Sequence, residues 1–210
     1  MIKAKFLYQN LQFDIRANIS SNESIIGIFG NSGIGKSTFL KIIAGIINPN
    51  KGYIEINNEL LIHSDKNIVI APHKRNIGFA FQDVRLFPHL NVVDNIKFNL
   101  HEKTNLDNII DLLEIDNILK RNTSSLSGGE AQRVSIARAL ARNPKILLLD
   151  ESLNAIHLEQ RKRMIKNIKK LIIEQEIFTI LVSHQIQEAK KFVECSFELK
   201  ETKKNIIEFV

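Results

Sequence analysis

Three short apolar runs lie along the chain, at residues 24–29, 146–149 and 178–182. Almost every position in each run is apolar, which is typical of strands covered on both faces in a parallel sheet. A helical pattern follows the first run at residues 36–43, and a longer one at residues 158–175 separates the other two. This order of strand, helix and strand predicts a parallel α/β unit.

The remaining segments predict antiparallel strands and a helical region. Residues 52–56 and 59–62 flank Asn57-Asn58, and asparagine tolerates the positive φ angles of a tight turn, so we expect an antiparallel β ribbon there. From residue 92 to about residue 142 the pattern is helical, and residues 196–210 resemble two closing strands. Because no repeat or linker interrupts the pattern, we expect one domain over residues 1–210.

Composition narrows the possible partners only slightly. The 29 Lys and Arg residues exceed the 23 Asp and Glu residues, and a formal charge of +6 suits a nucleotide, an anionic membrane or nucleic acid. The basic helix face that includes Arg161, Lys162 and Arg163 has no interleaved aromatic residues, which favours a solvated face over a nucleic-acid patch. One cysteine, Cys195, cannot form an internal disulfide, which favours a reducing compartment.

No part of the sequence predicts a membrane span or a secretory signal. A span needs roughly 18 or more apolar residues in a row, and no stretch approaches that length. If the protein works at a membrane, we therefore expect it to dock onto other chains that cross the bilayer.

A phosphate-binding loop is predicted between the first buried strand and its helix. The segment matches the pattern G-x-x-x-x-G-K-[ST], and its residues are Gly30, Asn31, Ser32, Gly33, Ile34, Gly35, Lys36, Ser37 and Thr38. Glycines let backbone N–H groups curl around phosphate oxygens at a helix N-terminus. We expect Lys36 to neutralise the β- and γ-phosphates of ATP and Ser37 to place its hydroxyl on Mg²⁺.

An acidic pair follows the second buried strand. We interpret Asp150 as the carboxylate on the magnesium side and Glu151 as the base that activates the attacking water. An acidic pair after a strand is common as a turn or helix cap, so its weight comes from its occurrence together with the phosphate loop. Together they predict a nucleoside triphosphatase.

A second glycine-bearing motif indicates which kind of nucleoside triphosphatase this is. Ser127 and Glu130 have the S-x-x-E spacing of a helix capping box, and Gly128 and Gly129 between them leave the first helical amides open to another anion. The run Leu126-Ser127-Gly128-Gly129-Glu130 with the residues after it resembles the signature segment of ABC ATPases. In that family two chains pack head to tail, so the resemblance implies that Ser127, Gly128 and Gly129 contact the ATP of a partner copy.

The resemblance covers nearly the whole chain and implies further roles. Gln82 matches the glutamine that contacts Mg²⁺ and the lytic water, and His184 matches the histidine that contacts the γ-phosphate. Tyr8 is the candidate for stacking on adenine, while Phe6 or Phe13 could instead belong to the core. The implied fold is a P-loop NTPase core with a mostly parallel α/β sheet, an antiparallel β ribbon and a helical signature subdomain at about residues 88–142.

Within the family, residues 71–90 look most like the molybdate importer ATPases, with sulfate-type importers next. This implies a homodimer on the cytoplasmic face of the inner membrane, bound to transmembrane permease subunits and served indirectly by a periplasmic or extracellular substrate-binding protein. Residues 85–90 face the permease in such proteins. Tungstate and sulfate remain alternatives to molybdate, and a soluble ABC ATPase acting on nucleic acid is a further one.

Two positions depart from the family pattern. After Glu151 the family usually has proline, and a few residues later an aspartate that couples the two nucleotide sites, whereas this chain has Ser152 and His157. We still expect hydrolysis, because neither position is a direct ligand of phosphate or metal. We also expect no C-terminal oxyanion-binding domain of the kind that molybdate-type ATPases often carry.

Overall fold

The structure is a computed structural model that describes residues 1–17, 19, 23–184, 186–203 and 205–209. Its strands are β1 (Ile2–Tyr8), β2 (Leu11–Ala17), β3 (Ile25–Phe29), β4 (Lys51–Ile56), β5 (Glu59–His63), β6 (Ile68–Val69), β7 (Ile77–Ala80), β8 (Ile146–Asp150), β9 (Phe178–Val182), β10 (Cys195–Lys203) and β11 (Ile206–Phe209). Its helices are α1 (Lys36–Ile43), α2 (Val92–Lys97), α3 (Leu106–Leu112), α4 (Gly128–Ala141), α5 (Leu158–Glu174) and α6 (Ile186–Ala189). The chain forms two compact units, Met1–Arg75 with Leu181–Val210, and Asn76–Ile180.

In the first unit the strand order is β6-β5-β4-β1-β2-β11-β10-β3. Strand β1 is antiparallel to β2 and β4, whereas β10 is parallel to β3 and β11 is parallel to β2. Buried residues alternate with exposed ones along β1, so one face of the sheet is covered. The covering element is α1, because the ring of Phe6 on β1 stacks on Phe39 of α1 at 6.2 Å and on Phe13 of β2 at 4.6 Å.

In the second unit the strand order is β9-β8-β7, and β7 is parallel to β8. Strand β8 is buried at every position from Ile146 to Asp150. Helix α4 packs closely on β7, because a Cβ atom on Gly78 would lie 2.4 Å from the backbone oxygen of Ala139. The acidic end of β8 and the start of α4 therefore belong to one packed unit.

The predicted elements are largely confirmed. The two segments of the expected ribbon are β4 and β5, joined by Asn57 and Asn58 with φ angles of 49° and 65°. The region from residue 92 to residue 142, which was predicted to be helical, contains three α-helices and short 3-10 turns at Asp116–Ile118 and Thr123–Ser125. Val210, at the end of the predicted closing strands, lies outside the described residues.

The antiparallel part of the fold is broader than the predicted ribbon. The prediction omits β1 and β2, although their residues alternate between buried and exposed positions with the period of a strand. Both strands extend the ribbon, because β4 pairs with β1 and β1 pairs with β2. Within the part of the chain that the structure describes, no helix has the length and apolar character needed to cross a bilayer.

Candidate functional site

The predicted phosphate loop connects the end of β3 to the start of α1. Strand β3 is buried throughout, and the loop after it exposes Asn31, Ser32 and Gly33. Gly35 is the N-cap of α1 with a φ angle of 102°, and no side chain caps the helix. Because no side chain caps α1, the positive end of its helix dipole favours an anion at this N-terminus.

Glycines are needed in this loop for steric reasons as well. A Cβ atom on Gly30 would lie 2.6 Å from the backbone oxygen of Leu199, and one on Gly35 would lie 2.8 Å from the ring of Phe13. Gly33 has a φ angle of 80°, and a Cβ atom there would meet nothing within 4 Å. The loop therefore packs against Leu199 and Phe13 at Gly30 and Gly35 and is open at Gly33. A loop that binds phosphate needs such an open side.

Lys36 places its ammonium group on this loop. The side chain is only 5% exposed, and its Nζ donates hydrogen bonds of 2.8 Å to the backbone oxygens of both Gly30 and Asn31. A cation at an uncapped helix N-terminus adds to the positive field of the amides. The loop therefore fits the phosphates of a nucleotide.

The same unit contains Tyr8 and His184. Strand alternation places Tyr8 on the same face of β1 as Phe6, and Tyr8 is half-buried. Phe6 and Phe13 belong to the core, with 2% and 0% exposure. His184 follows β9 and is exposed.

The second unit brings together two of the predicted catalytic side chains. Asp150 ends β8 and is buried, and Glu151 follows it in the left-handed region with a φ angle of 50°. Gln82 donates a hydrogen bond of 3.3 Å from Nε2 to Oε2 of Glu151. Although 69 residues separate them, Gln82 and Glu151 thus meet in the folded unit.

Helix α4 begins with the predicted capping box. The Ser127 hydroxyl accepts from the backbone N–H of Glu130, and the Glu130 carboxylate accepts from the backbone N–H of Ser127 at 2.8 Å. That second hydrogen bond is the main cause that lowers the pKa of Glu130, and the charge of Arg121, 2.9 Å away, contributes to it. Gly128 and Ser127 are exposed, so the start of α4 is accessible to a ligand.

Comparison with known proteins identifies the family of this chain. Residues 9–154 match the family described as "ABC transporter". The chain belongs to the ABC transporter family. Among solved structures, it is similar to a dimeric bacterial ABC transporter cassette at 28% identity and a TM-score of 0.75, with 99% of this chain and 94% of that chain covered.

Curated relatives of this ABC transporter chain carry one name in several bacteria. "Molybdenum import ATP-binding protein ModC" of Mannheimia succiniciproducens is 43% identical over 79% of this chain and 48% of its own length. The protein of that name in Pasteurella multocida is 35% identical over 97% of this chain and 59% of its own length. The chain thus spans about half the length of the first curated relatives it matches.

Metal binding in this ABC transporter chain was predicted for one carboxylate and two neutral side chains, not for a cluster of acidic, histidine or cysteine ligands. Among the described residues there is no group of three or more such side chains that could hold a metal ion. Mg²⁺ typically keeps several waters and binds through one or two carboxylates and the phosphates of a substrate. The predicted donors Ser37, Gln82 and Asp150 include one carboxylate, which is a donor type that Mg²⁺ accepts.

Three side chains that were not predicted from the sequence hold backbone segments in place through hydrogen bonds. Asn95, with 0% exposure, bonds to the backbone N–H of Phe87 at 2.8 Å and to the backbone oxygens of Phe87, Leu90 and Asn91. Arg138 of α4 donates to the backbone oxygen of Arg85 at 2.6 Å and lies over the Phe87 ring. These two residues fix the conformation of residues 85–90.

Arg75, the third missed residue, closes the other end of the phosphate-loop helix. Its guanidinium donates to the backbone oxygens of Ile42, Ile43 and Ile70 at 2.8, 2.6 and 2.7 Å. Burial lowers the pKa of Arg75 to about 10, so the group stays protonated at neutral pH. A polar residue seen in sequence alone carries no sign that it is buried, which is why these three residues were not predicted.

Proposed function

We propose that this chain is the ATP-binding and ATP-hydrolysing subunit of an importer that takes up molybdate. The observation that carries the ATPase part is the loop in which Lys36 lies against the backbone at the uncapped start of α1. The choice of molybdate is supported by relatives that are named as molybdenum import proteins and are 35% to 43% identical to this chain.

In the first unit the phosphate loop binds the nucleotide. The backbone amides of residues 30–38 hold the phosphate oxygens, and Lys36 neutralises charge on the β- and γ-phosphates. Tyr8 stacks on adenine from the end of β1. His184 contacts the γ-phosphate as hydrolysis proceeds and stabilises the charge that develops there.

In the second unit the residues around β8 carry out the hydrolysis. Glu151 accepts a proton from the water that attacks the γ-phosphate, and Gln82 orients that water. Ser37, Gln82 and Asp150 are the residues that would hold Mg²⁺. When bound, the metal neutralises the charge that builds up on the phosphate oxygens.

The working unit is a homodimer in which Ser127, Gly128 and Gly129 of one chain contact the ATP held by its partner. The accessible start of α4 and the similarity to a dimeric cassette support this assembly. The segment at residues 85–90, which Asn95 and Arg138 fix, docks onto transmembrane permease subunits at the cytoplasmic face of the membrane. The substrate-binding protein acts only through the permease, and no nucleic acid takes part.

Two variants of the purified chain test the ATPase. Lys36→Ala is expected to lose measurable binding of ATP, because the loop loses its cation. Glu151→Gln is expected to bind ATP with unchanged affinity, to lose turnover by about 100-fold or more and to form a stable dimer with ATP. Full ATP affinity in Lys36→Ala, or undiminished turnover in Glu151→Gln, would contradict the assigned roles.

The transported anion needs a separate experiment. The chain is co-expressed with candidate permease subunits, the complex is placed in vesicles, and uptake of molybdate, tungstate and sulfate is measured with ATP present. Molybdate uptake that disappears with Glu151→Gln is the expected result. Uptake of sulfate alone would assign the chain to another importer while leaving the ATPase intact.

A further inference from the structure

Two amide side chains from different segments bond to the same oxygen atom of Glu151. Gln82, after β7, donates to Oε2 at 3.3 Å, and Asn154, in the loop after β8, donates from Nδ2 to Oε2 at 3.4 Å. Glu151 itself is nine-tenths buried, so each hydrogen bond that its charge accepts matters for its orientation. Oε2 of the carboxylate thus accepts hydrogen bonds from two neutral donors.

Asn154 also holds the backbone of the same residue. Its backbone N–H donates to the backbone oxygen of Glu151 at 3.2 Å and closes a turn. Glu151 needs this support, because a residue with a side chain and a φ angle of 50° lies in a sparsely populated region that costs about 1–3 kcal/mol. One residue therefore fixes both the main chain and the carboxylate of Glu151.

We propose that Asn154 is a positioning residue for the catalytic carboxylate: together with Gln82 it holds Oε2 of Glu151 and so fixes the carboxylate in the orientation that proton transfer needs. This inference rests on the proposed function of Glu151 as the base. Proton transfer requires the base within hydrogen-bond reach of the water, and fixing the direction of the carboxylate avoids ordering it during the reaction.

The lengths of the two hydrogen bonds are consistent with this role. At 3.3 and 3.4 Å they are longer than the usual 2.9–3.0 Å for N–H···O, and catalytic hydrogen bonds are often long before substrate is bound and shorten afterwards. The Asn154 side chain is otherwise exposed, so it contributes little to packing. Its loop is anchored instead by Leu153 and Ile156, which are buried.

The test uses variants that separate positioning from folding. Asn154→Ala is expected to lower kcat about tenfold with an unchanged KM for ATP, because it removes one hydrogen bond to a charged group that acts in the transition state. Asn154→Asp has the same shape and still closes the turn, but it presents an acceptor to Glu151 and adds a like charge. We expect its kcat to fall at least as far.

Asn117→Ala is the matched control, because Asn117 is an exposed asparagine of the same unit in the short turn Asp116–Ile118. It should keep the kcat and KM of the wild type. A structural role for Asn154 predicts the opposite of our proposal, namely that Asn154→Asp keeps wild-type kcat. That result, or a change in KM alone, would overturn the positioning role.

The ATP-trapped dimer distinguishes failure of this inference from failure of the proposed function. Asn154→Ala combined with Glu151→Gln should still form the dimer with ATP, since nucleotide binding and assembly do not depend on the orientation of the base. Loss of that dimer would assign Asn154 to assembly and overturn the proposal. If Glu151→Gln alone keeps full turnover, the proposed base is wrong; if it is inactive and Asn154→Ala is fully active, only the positioning role is wrong.

Discussion

The backbone oxygen of Ala155 lies 2.9 Å from the position that a Cβ atom on Gly129 would take. The loop that follows Glu151 therefore passes directly against the first turn of α4. At Gly128 an added Cβ would come no closer than 3.8 Å to the Cβ of Ala155, which is an ordinary contact. The two glycines of the signature segment thus differ in how tightly the chain packs around them.

Gly129→Ala is expected to destabilise the protein by about 1–3 kcal/mol, because the loop or the helix must shift to make room. Gly128→Ala has room for its methyl group and gains helix propensity, so its free energy of unfolding should stay the same or rise by up to about 1 kcal/mol. Urea unfolding of both variants measures the difference. Equal stabilities would show that the 2.9 Å approach does not exist in solution.

Arg75 supports α1 from its C-terminal end, and its loss should be costly. Arg75→Met leaves the backbone oxygens of Ile42, Ile43 and Ile70 without these donors and is expected to cost about 3 kcal/mol or more. Arg75→Lys keeps the charge but not the fork of donors, so we expect an intermediate loss. Arg16→Met, at an exposed arginine paired with Asp14, is the control and should change stability by less than about 0.5 kcal/mol.

The capping box of α4 should make stability depend on pH in the acid range. The pKa of Glu130 is lowered chiefly by the backbone N–H of Ser127, so the unfolded chain takes up this proton more readily than the folded chain. The stabilisation is therefore complete above the unfolded pKa of about 4.3 and is lost as pH falls through the lower folded value.

Glu130→Gln keeps an acceptor for the backbone N–H of Ser127 but carries no charge, so it isolates the contribution of the charge to stability. We expect it to be about 0.5–1 kcal/mol less stable than the wild type at pH 7, because Glu130 also pairs with Arg121 and lies at a helix N-terminus. This difference in the free energy of unfolding should shrink progressively below about pH 5. Urea unfolding at pH 7, 5 and 4 measures it, and a gap independent of pH would contradict the lowered pKa.

The motifs that can be recognised in the sequence are those whose residue types and spacing are physically required. The loop at residues 30–38 needs glycines and a lysine, and Ser127 with Glu130 needs a fixed spacing, so both motifs are visible in the sequence. The contact of Asn154 with Glu151 follows from the path of a loop, and burial of Arg75 follows from packing of distant segments. Neither feature can be predicted from the types and spacing of the neighbouring residues.

His157 offers a test of the departure from the family pattern. It is the N-cap of α5, but no hydrogen bond from its side chain caps the helix. His157→Asp supplies an oxygen acceptor and a negative charge at the helix N-terminus, and we expect a gain of about 1 kcal/mol, or roughly 2–4 °C in Tm. His157→Asn provides the cap without the charge and should give most of the same gain.

The effect of His157→Asp on turnover separates capping from coupling. Resemblance to the family implies that an aspartate at this position helps the two nucleotide sites act together, so the variant should raise the permease-stimulated ATPase rate above that of the wild type. His157→Asn should not, even though it stabilises α5, because it lacks the carboxylate. If both variants raise Tm and neither changes the stimulated rate, the histidine affects only the stability of α5 and coupling in this protein does not depend on residue 157.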